Sequence, residues 1–205
     1  MHRASTFGIA LIAALLLPPT LAQAGRPTMP ALDADQIEKL RAGKLVLVSE
    51  NPTGDKAIVT GLIEIDATAQ EIWSVALSNE HILASSKAVK EVVTYKDVTG
   101  DDGVRDLRLA FMMKVGWSEI RFHSARKYHA ADSYMVWALD PDKDNDIKST
   151  EGSYSTWPGS TAGRTLFLYK ARIETGKRVP EWLEEELTES SLKKYLVYVK
   201  KVAEE

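Results

Sequence analysis

The sequence predicts an α+β fold in which a curved antiparallel β-sheet wraps around one long C-terminal α-helix. Three observations carry this prediction. Residues 89–174 read as six successive β-segments separated by short turns. A compact amphipathic helix precedes them, and a much longer one ends the chain. The long helix has an apolar stripe that must be buried, and the only partner large enough to cover it is the sheet.

In chain order, LDADQIEKLRAGK at 32–44 opens with Asp33 as an N-cap and carries Ile37 and Leu40 before Gly43 ends the helix. LVLV at 45–48 reads as a short strand and SENPTGDK at 49–56 as a turn-rich break. AIVTGLIEI at 57–65 is rich in β-branched types, as a strand requires. From Ala67 to Leu77 the period changes. Ala69, Ile72, Trp73, Ala76 and Leu77 fall on one helical stripe, and Thr68 with Glu71 three residues later matches a capping box. Residues 79–85 form a short helix or ordered loop.

The β-segments are expected at 89–96, 103–113, 116–127, 133–139, 147–157 and 162–174, with turns at TGDDG (99–103), DPDKDND (140–146) and PGSTAG (158–163). Turns this short join antiparallel neighbours, because a parallel return needs a crossover. The closing helix is expected over roughly residues 180–202, which at 1.5 Å per residue spans about 34 Å. Pro180 suits its first turn. Leu183, Leu187, Ser191, Tyr195, Tyr198 and Val202 step along one stripe, widened by Trp182, Leu192, Leu196 and Val199. A curved sheet and a straight helix of this length do not pack flush everywhere, so a cavity between them is expected.

The first 24 residues follow a different pattern. His2 and Arg3 precede an apolar run from Phe7 to Leu17, then Pro18-Pro19 and the small-x-small site Ala22-Gln23-Ala24. This is the signature of a cleavable signal peptide, cut after Ala24. The apolar run is too short to span a bilayer, which takes about 20 residues. The expected layout is therefore a signal peptide at 1–24, a lead at 25–56 and a main domain at 57–205, with a location in the periplasm or outside the cell.

Composition narrows the function classes. The chain has no cysteine, which excludes thiol catalysis, disulfides and thiolate metal sites. Its net charge is −3, a balance unsuited to nucleic acid. HExxH and G-x-S-x-G motifs are missing. His123 and His129 lack an obvious third ligand, and DPDKDND misses the glycine and terminal glutamate of a calcium loop. No catalytic residue, metal ligand or cofactor is assigned, and an enzymatic role is the less favoured reading.

Three stretches resemble a known family. VTGLIEIDATAQEIWSVALSNEHI at 59–82, the run of six strands, and RVPEWLEEELTESSLKKYLVYVKKVAEE at the end occur in the order seen in the START-like, Bet v 1-like superfamily of SRPBCC proteins. The likeness covers about residues 57–203. It implies a helix-grip fold whose deep apolar cavity binds lipids, sterols or other hydrophobic small molecules; some members are cyclases or hydrolases.

Candidate ligand-binding residues follow from alternation along the strands. Leu107, Leu109, Phe111 and Met113 share one strand face. On the next strand Ile120 and Phe122 share a face with Ser118 and Ser124, whereas Trp117, Glu119, Arg121 and His123 occupy the other. The Glu-Arg-His line suits a ligand's polar head or a solvated outer stripe, and it is the pair-bearing site that a cyclase would need. Phe167 and Tyr169 are the choice on the last strand, and Leu187, Ser191 and Tyr195 on the closing helix. The gates are expected at 79–87 and 158–163. The expected function is periplasmic binding or transfer of a lipid or sterol-like molecule. The alternatives are a non-catalytic accessory protein of a periplasmic complex and a cyclase/aromatase-type enzyme. Expected partners are the hydrophobic ligand, a transient membrane contact and a periplasmic protein.

Overall fold

The computed structural model describes residues 25–50, 58–174 and 189–205. The expected signal segment, most of the 49–56 break and the helix start at 180–188, Leu187 included, lie outside the described residues.

Helix α1 (Ala34–Arg41) begins at Asp33, whose carboxylate accepts from Gln36 N at 2.8 Å while the Gln36 side chain accepts from Asp33 N at 3.0 Å. Gly43, with φ of 69°, turns the chain into strand β1 (Val46–Glu50). Strand β2 (Ile58–Ile65) leads to helix α2 (Ala69–Ala76), where Thr68 and Glu71 form the expected capping box. Helix α3 (Asn79–Ser85) follows. Then come β3 (Val89–Thr99), β4 (Val104–Val115), β5 (Ser118–His129), β6 (Tyr134–Leu139), β7 (Ser149–Pro158), β8 (Thr165–Glu174) and helix α4 (Ser191–Ala203).

All eight strands form one antiparallel sheet in the order β1-β2-β8-β7-β6-β5-β4-β3. The six strands β3–β8 are a meander, and β8 returns to pair with β2. Register shifts on β3, at Val89/Glu91 and Thr94/Lys96, bend the free edge of the sheet. The lead is part of this architecture, because β1 extends the sheet as its edge strand beside β2.

The two sheet faces bury different things. On the concave face, α2 and α4 cover β2, β8 and β7, and Ile63, Ile72, Trp73, Phe167, Leu192 and Leu196 share one core. Gly61 makes this contact possible. A Cβ there would collide with the side chains of Leu192 and Leu196, so the missing side chain lets the helix sit down on the strand. On α4 the deepest residues are Leu192, Leu196 and Val199, all fully buried, whereas Ser191 and Tyr198 flank them. The residues expected to widen the stripe are thus its centre.

On the convex face, Leu40, Val46, Leu62, Leu166 and Leu168 pack together under the lead, joined by Met29, Leu32 and Trp157. Arg26 lies over the Trp157 ring at 3.6 Å and donates to Thr156 O at 2.6 Å. Farther across that face the residues are charged. Arg108 Nη1 donates to Asp140 at 2.7 Å, Tyr95 Oη donates to the same carboxylate at 2.6 Å, and Asp106 takes Lys96 at 2.7 Å and Lys127 at 3.0 Å. Among the described residues no helix is long and apolar enough to cross a membrane.

Candidate functional site: a cavity between the sheet and the closing helix

Cross-strand register determines which side chains face inward. Leu107, Leu109, Phe111 and Met113 on β4 stand opposite Arg126, Ser124, Phe122 and Ile120 on β5. Partners in a ladder share a face, so these eight form one concave surface. Arg126 stands next to Trp137 on β6, and Trp137 next to Gly152 on β7. A Cβ at Gly152 would run into the indole of Trp137, so this glycine gives the ring its place on the floor.

Where the helix leaves the sheet, a cavity of about 140 Å³ remains. Its apolar wall is Phe111, Met113, Phe122 and Ile173, with Ile82 and Val89 at the α3 side. Phe111 and Phe122 are stacked with centroids 4.9 Å apart. Its other end is polar and aromatic. Tyr154, Tyr169 and Tyr195 pack against one another at 4.7–5.6 Å beside Ser124, Arg126, Trp137, Thr150 and Ser191, and Ser85 and Ser86 add hydroxyls on the α3 side. Burial pushes the phenols of Tyr154, Tyr169 and Tyr195 well above their ordinary range, opposed by the nearby charge of Arg126. All three are therefore neutral hydrogen-bonding groups near neutral pH. The Tyr195 hydroxyl donates to Ala76 O at 3.3 Å, which ties α4 to the end of α2.

Of the residues singled out from sequence, Phe111, Met113, Phe122, Tyr169, Ser191 and Tyr195 meet around this cavity. Four others are drawn into solid packing instead. Leu107 and Leu109 have the same alternation as Phe111, but α3 lays Ile82 and Leu83 over that stretch. Ile120 packs on Met113 and Ile147. Phe167 lies beneath Trp73 and Tyr154, where α2 covers the sheet. Leu187 is outside the described residues.

The line Glu119, Arg121 and His123 stands on the convex face, opposite in direction to Ser124 and Arg126. Arg121 Nε pairs with the exposed Glu119 at 2.8 Å, and the His123 ring reaches Asp144 O at 3.0 Å. These groups do not reach the cavity, so the polar pair considered for a cyclase is on the wrong side of the sheet. Among the described residues no three His, Asp or Glu side chains converge as a metal site.

The two expected gates also differ. Helix α3 and Ser86 line the cavity, and they are held by a few bonds: Asn79 to Thr94 at 2.9 Å, His81 Nδ1 to the Tyr198 hydroxyl at 2.9 Å, and Lys114 N to Ala88 O at 2.7 Å. The 158–163 turn does not line it. Ser160 donates twice to the buried carboxylate of Glu64, at 2.9 and 2.8 Å, and Arg164 pairs with the same group at 3.1 Å. A turn anchored this way is a brace rather than a gate.

Sequence reasoning overlooked Arg126 and Tyr154 as a pair. Arg126 continues the alternation of Ser118, Ile120, Phe122 and Ser124, so its inward direction was readable. An arginine on a face otherwise without charge was the available signal.

Several solved structures share this fold. One is the STAR-related lipid transfer protein from Xanthomonas axonopodis, with a TM-score of 0.60 and 15% identity over 85% of this chain and 97% of that one. This chain has the START-like, Bet v 1-like helix-grip fold. The START superfamily protein from Mycobacterium smegmatis matches with a TM-score of 0.57 and 18% identity, over 72% of this chain and 97% of that one. The Zhui aromatase/cyclase from Streptomyces sp. R1128 matches with a TM-score of 0.53 and 15% identity, over 71% and 90%. No protein-family model matches this START-like chain, and no curated protein matches it in sequence. The fold is thus shared with proteins named for lipid transfer and for aromatase/cyclase activity, and the cavity lies between the two elements that give the helix grip its name.

Proposed function

We propose that this START-like protein binds and carries a hydrophobic small molecule in the cavity between its concave sheet face and the closing helix. The observation that carries the reading is the cavity itself: about 140 Å³ of space in an otherwise close-packed core, walled by Phe111, Met113, Phe122 and Ile173. Binding would draw on burial of apolar ligand surface, at roughly 25 cal/mol per Å². The α3 segment, joined to the sheet by few bonds, is the door. A sterol or diacyl lipid exceeds the resting volume and would enter only with α3 displaced, so the lipid-like reading favours a compact ligand.

The amino-terminal pattern supports export to the periplasm and cleavage after Ala24. A transient membrane contact for loading has support from Trp117, which is 97% exposed at the β4–β5 hairpin tip beside Lys114. Native and denaturing mass spectrometry of protein isolated from the periplasmic fraction tests both parts. The expected denatured mass is that of a chain beginning at Gly25, and the expected native mass is heavier by one small-molecule ligand. A protein that never retains or takes up any hydrophobic molecule would overturn the binding reading.

A further inference from the structure

The cavity contains a charge that no carboxylate among the described residues neutralises. Arg126 is 7% exposed. Its Nε makes one long contact, 3.3 Å to the Ser124 hydroxyl, and its guanidinium carbon stands 5.3 Å from the Phe111 ring centroid. Its Nη1 is buried with no hydrogen-bond partner among the described residues. No carboxylate among the described residues pairs with it, although Arg105, Arg108, Arg121 and Arg164 all have one. The three neighbouring phenols are neutral and so supply no counter-charge. A buried cation left in this state is costly unless something completes it.

The register adds a direction. Tyr154 and Tyr169 stand opposite each other in the β7–β8 ladder, and Arg126 lines the same cavity from β5, with β6 and its Trp137 between. Ser124 is two residues farther along β5, then Phe122, whose neighbours are Phe111 and Met113. The cavity is therefore cationic and hydroxyl-rich around Arg126 and the tyrosines, while Phe111, Phe122, Met113 and Ile173 form an apolar wall, with the hydroxyls of Ser85 and Ser86 on the α3 side. Among the described residues Arg126 is the only basic side chain in its lining. One guanidinium matches one negative charge, and its fork matches a planar carboxylate bidentately.

Resting on the binding role proposed above, we infer that the ligand is a compact amphipathic monocarboxylate, an aryl or short-chain carboxylic acid. Its carboxylate meets the Arg126 guanidinium beside the tyrosine cluster, and its apolar body lies against Phe111, Phe122, Met113 and Ile173. The volume agrees, because a cavity of about 150 Å³ holds a benzene-sized molecule. A longer chain would have to leave past Ile82 and Ser86.

The test uses benzoate and its uncharged analogue benzyl alcohol, with the purified protein, by titration calorimetry at neutral pH. The acid is expected to bind at least tenfold more tightly than the alcohol. Arg126→Gln is expected to remove that preference, whereas Arg126→Lys retains part of it. The wild-type comparison needs no variant, so it decides even if Arg126→Gln fails to fold. Equal affinity for acid and alcohol overturns the inference and leaves the hydrophobic-binding role intact. An acid preference that survives in Arg126→Gln overturns the assignment to Arg126. Binding of neither probe, with a neutral hydrophobe retained in native mass spectra, overturns the inference alone. If no hydrophobic molecule is retained either, both readings fail.

Discussion

The two halves of the sheet treat the same helix differently. Over β2 and β8, α4 presses Leu192 and Leu196 into the gap left by Gly61, and the concave face is solid. Over β4 and β5, no glycine admits the helix, α3 stands in between, and a cavity opens beside Phe111 and Phe122. The convex faces differ as well. The lead buries Leu62, Leu166 and Leu168 behind the solid half, whereas the far half carries the network of Arg108, Asp106 and Asp140. A helix-grip protein need not be hollow along its whole length. The hollow lies where small residues stop allowing close approach.

The strongest way to break this contrast is to remove packing on the solid side. Leu196→Ala takes a fully buried side chain out of the helix–sheet contact and is expected to cost about 4 kcal/mol. Met113→Ala at the cavity wall, which already borders empty space, is expected to cost about 2 kcal/mol or less. Urea denaturation of the two variants measures the difference, and equal losses would mean that the halves are equally packed.

Overfilling gives the converse, somewhat smaller effect. Gly61→Val places methyl groups where Leu192 and Leu196 already stand, and a loss of about 3 kcal/mol is expected. Ile173→Phe adds volume next to the cavity and is expected to change stability by about 1 kcal/mol or less. Thermal melts of this pair rank the two sites, and a tolerated Gly61→Val would refute the close approach.

The smallest effect belongs to the charged half and depends on pH. Burial raises the Asp140 carboxyl, but hydrogen bonds from Tyr95 and Arg108 outweigh it and hold the group down at about 2. Asp106 is likewise held at about 2, with burial outweighed by Lys96, Lys127 and Arg108. Both folded values lie below the unfolded one, so their stabilisation is complete above about pH 4 to 5. It is lost as pH falls toward 2. Asp140→Asn is expected to remove on the order of 1–2 kcal/mol at pH 7 and to flatten the acid limb of the stability curve. An unchanged acid limb in that variant would show that the network contributes nothing.

Much of the fold was legible because its signals are local. The Thr68–Glu71 capping box, the Asp33 cap, the short turns and the switch from period 2 to period 3.6 each depend on a few neighbouring residues. The site was legible only in part. Alternation placed Phe111 with Leu109 and Phe122 with Ser124, yet it could not tell Leu109, packed under Ile82, from Phe111, which borders the void. Glu119, Arg121 and His123 suit a polar site by residue type yet stand on the convex face; period 2 divides a strand into two faces without saying which is concave.

By itself, then, the sequence determined the order and type of the elements, the antiparallel meander, the amphipathic closing helix and the exclusion of thiol chemistry. These depend on spacing along the chain and on which side chains exist at all. Only the tertiary structure decided which face is concave, where Gly61 lets the helix touch, how the lead covers the convex face, and that Arg126 ends up buried without a carboxylate partner among the described residues. Those outcomes depend on which distant residues arrive at the same place, and a period read along one strand contains no information about what lies across from it.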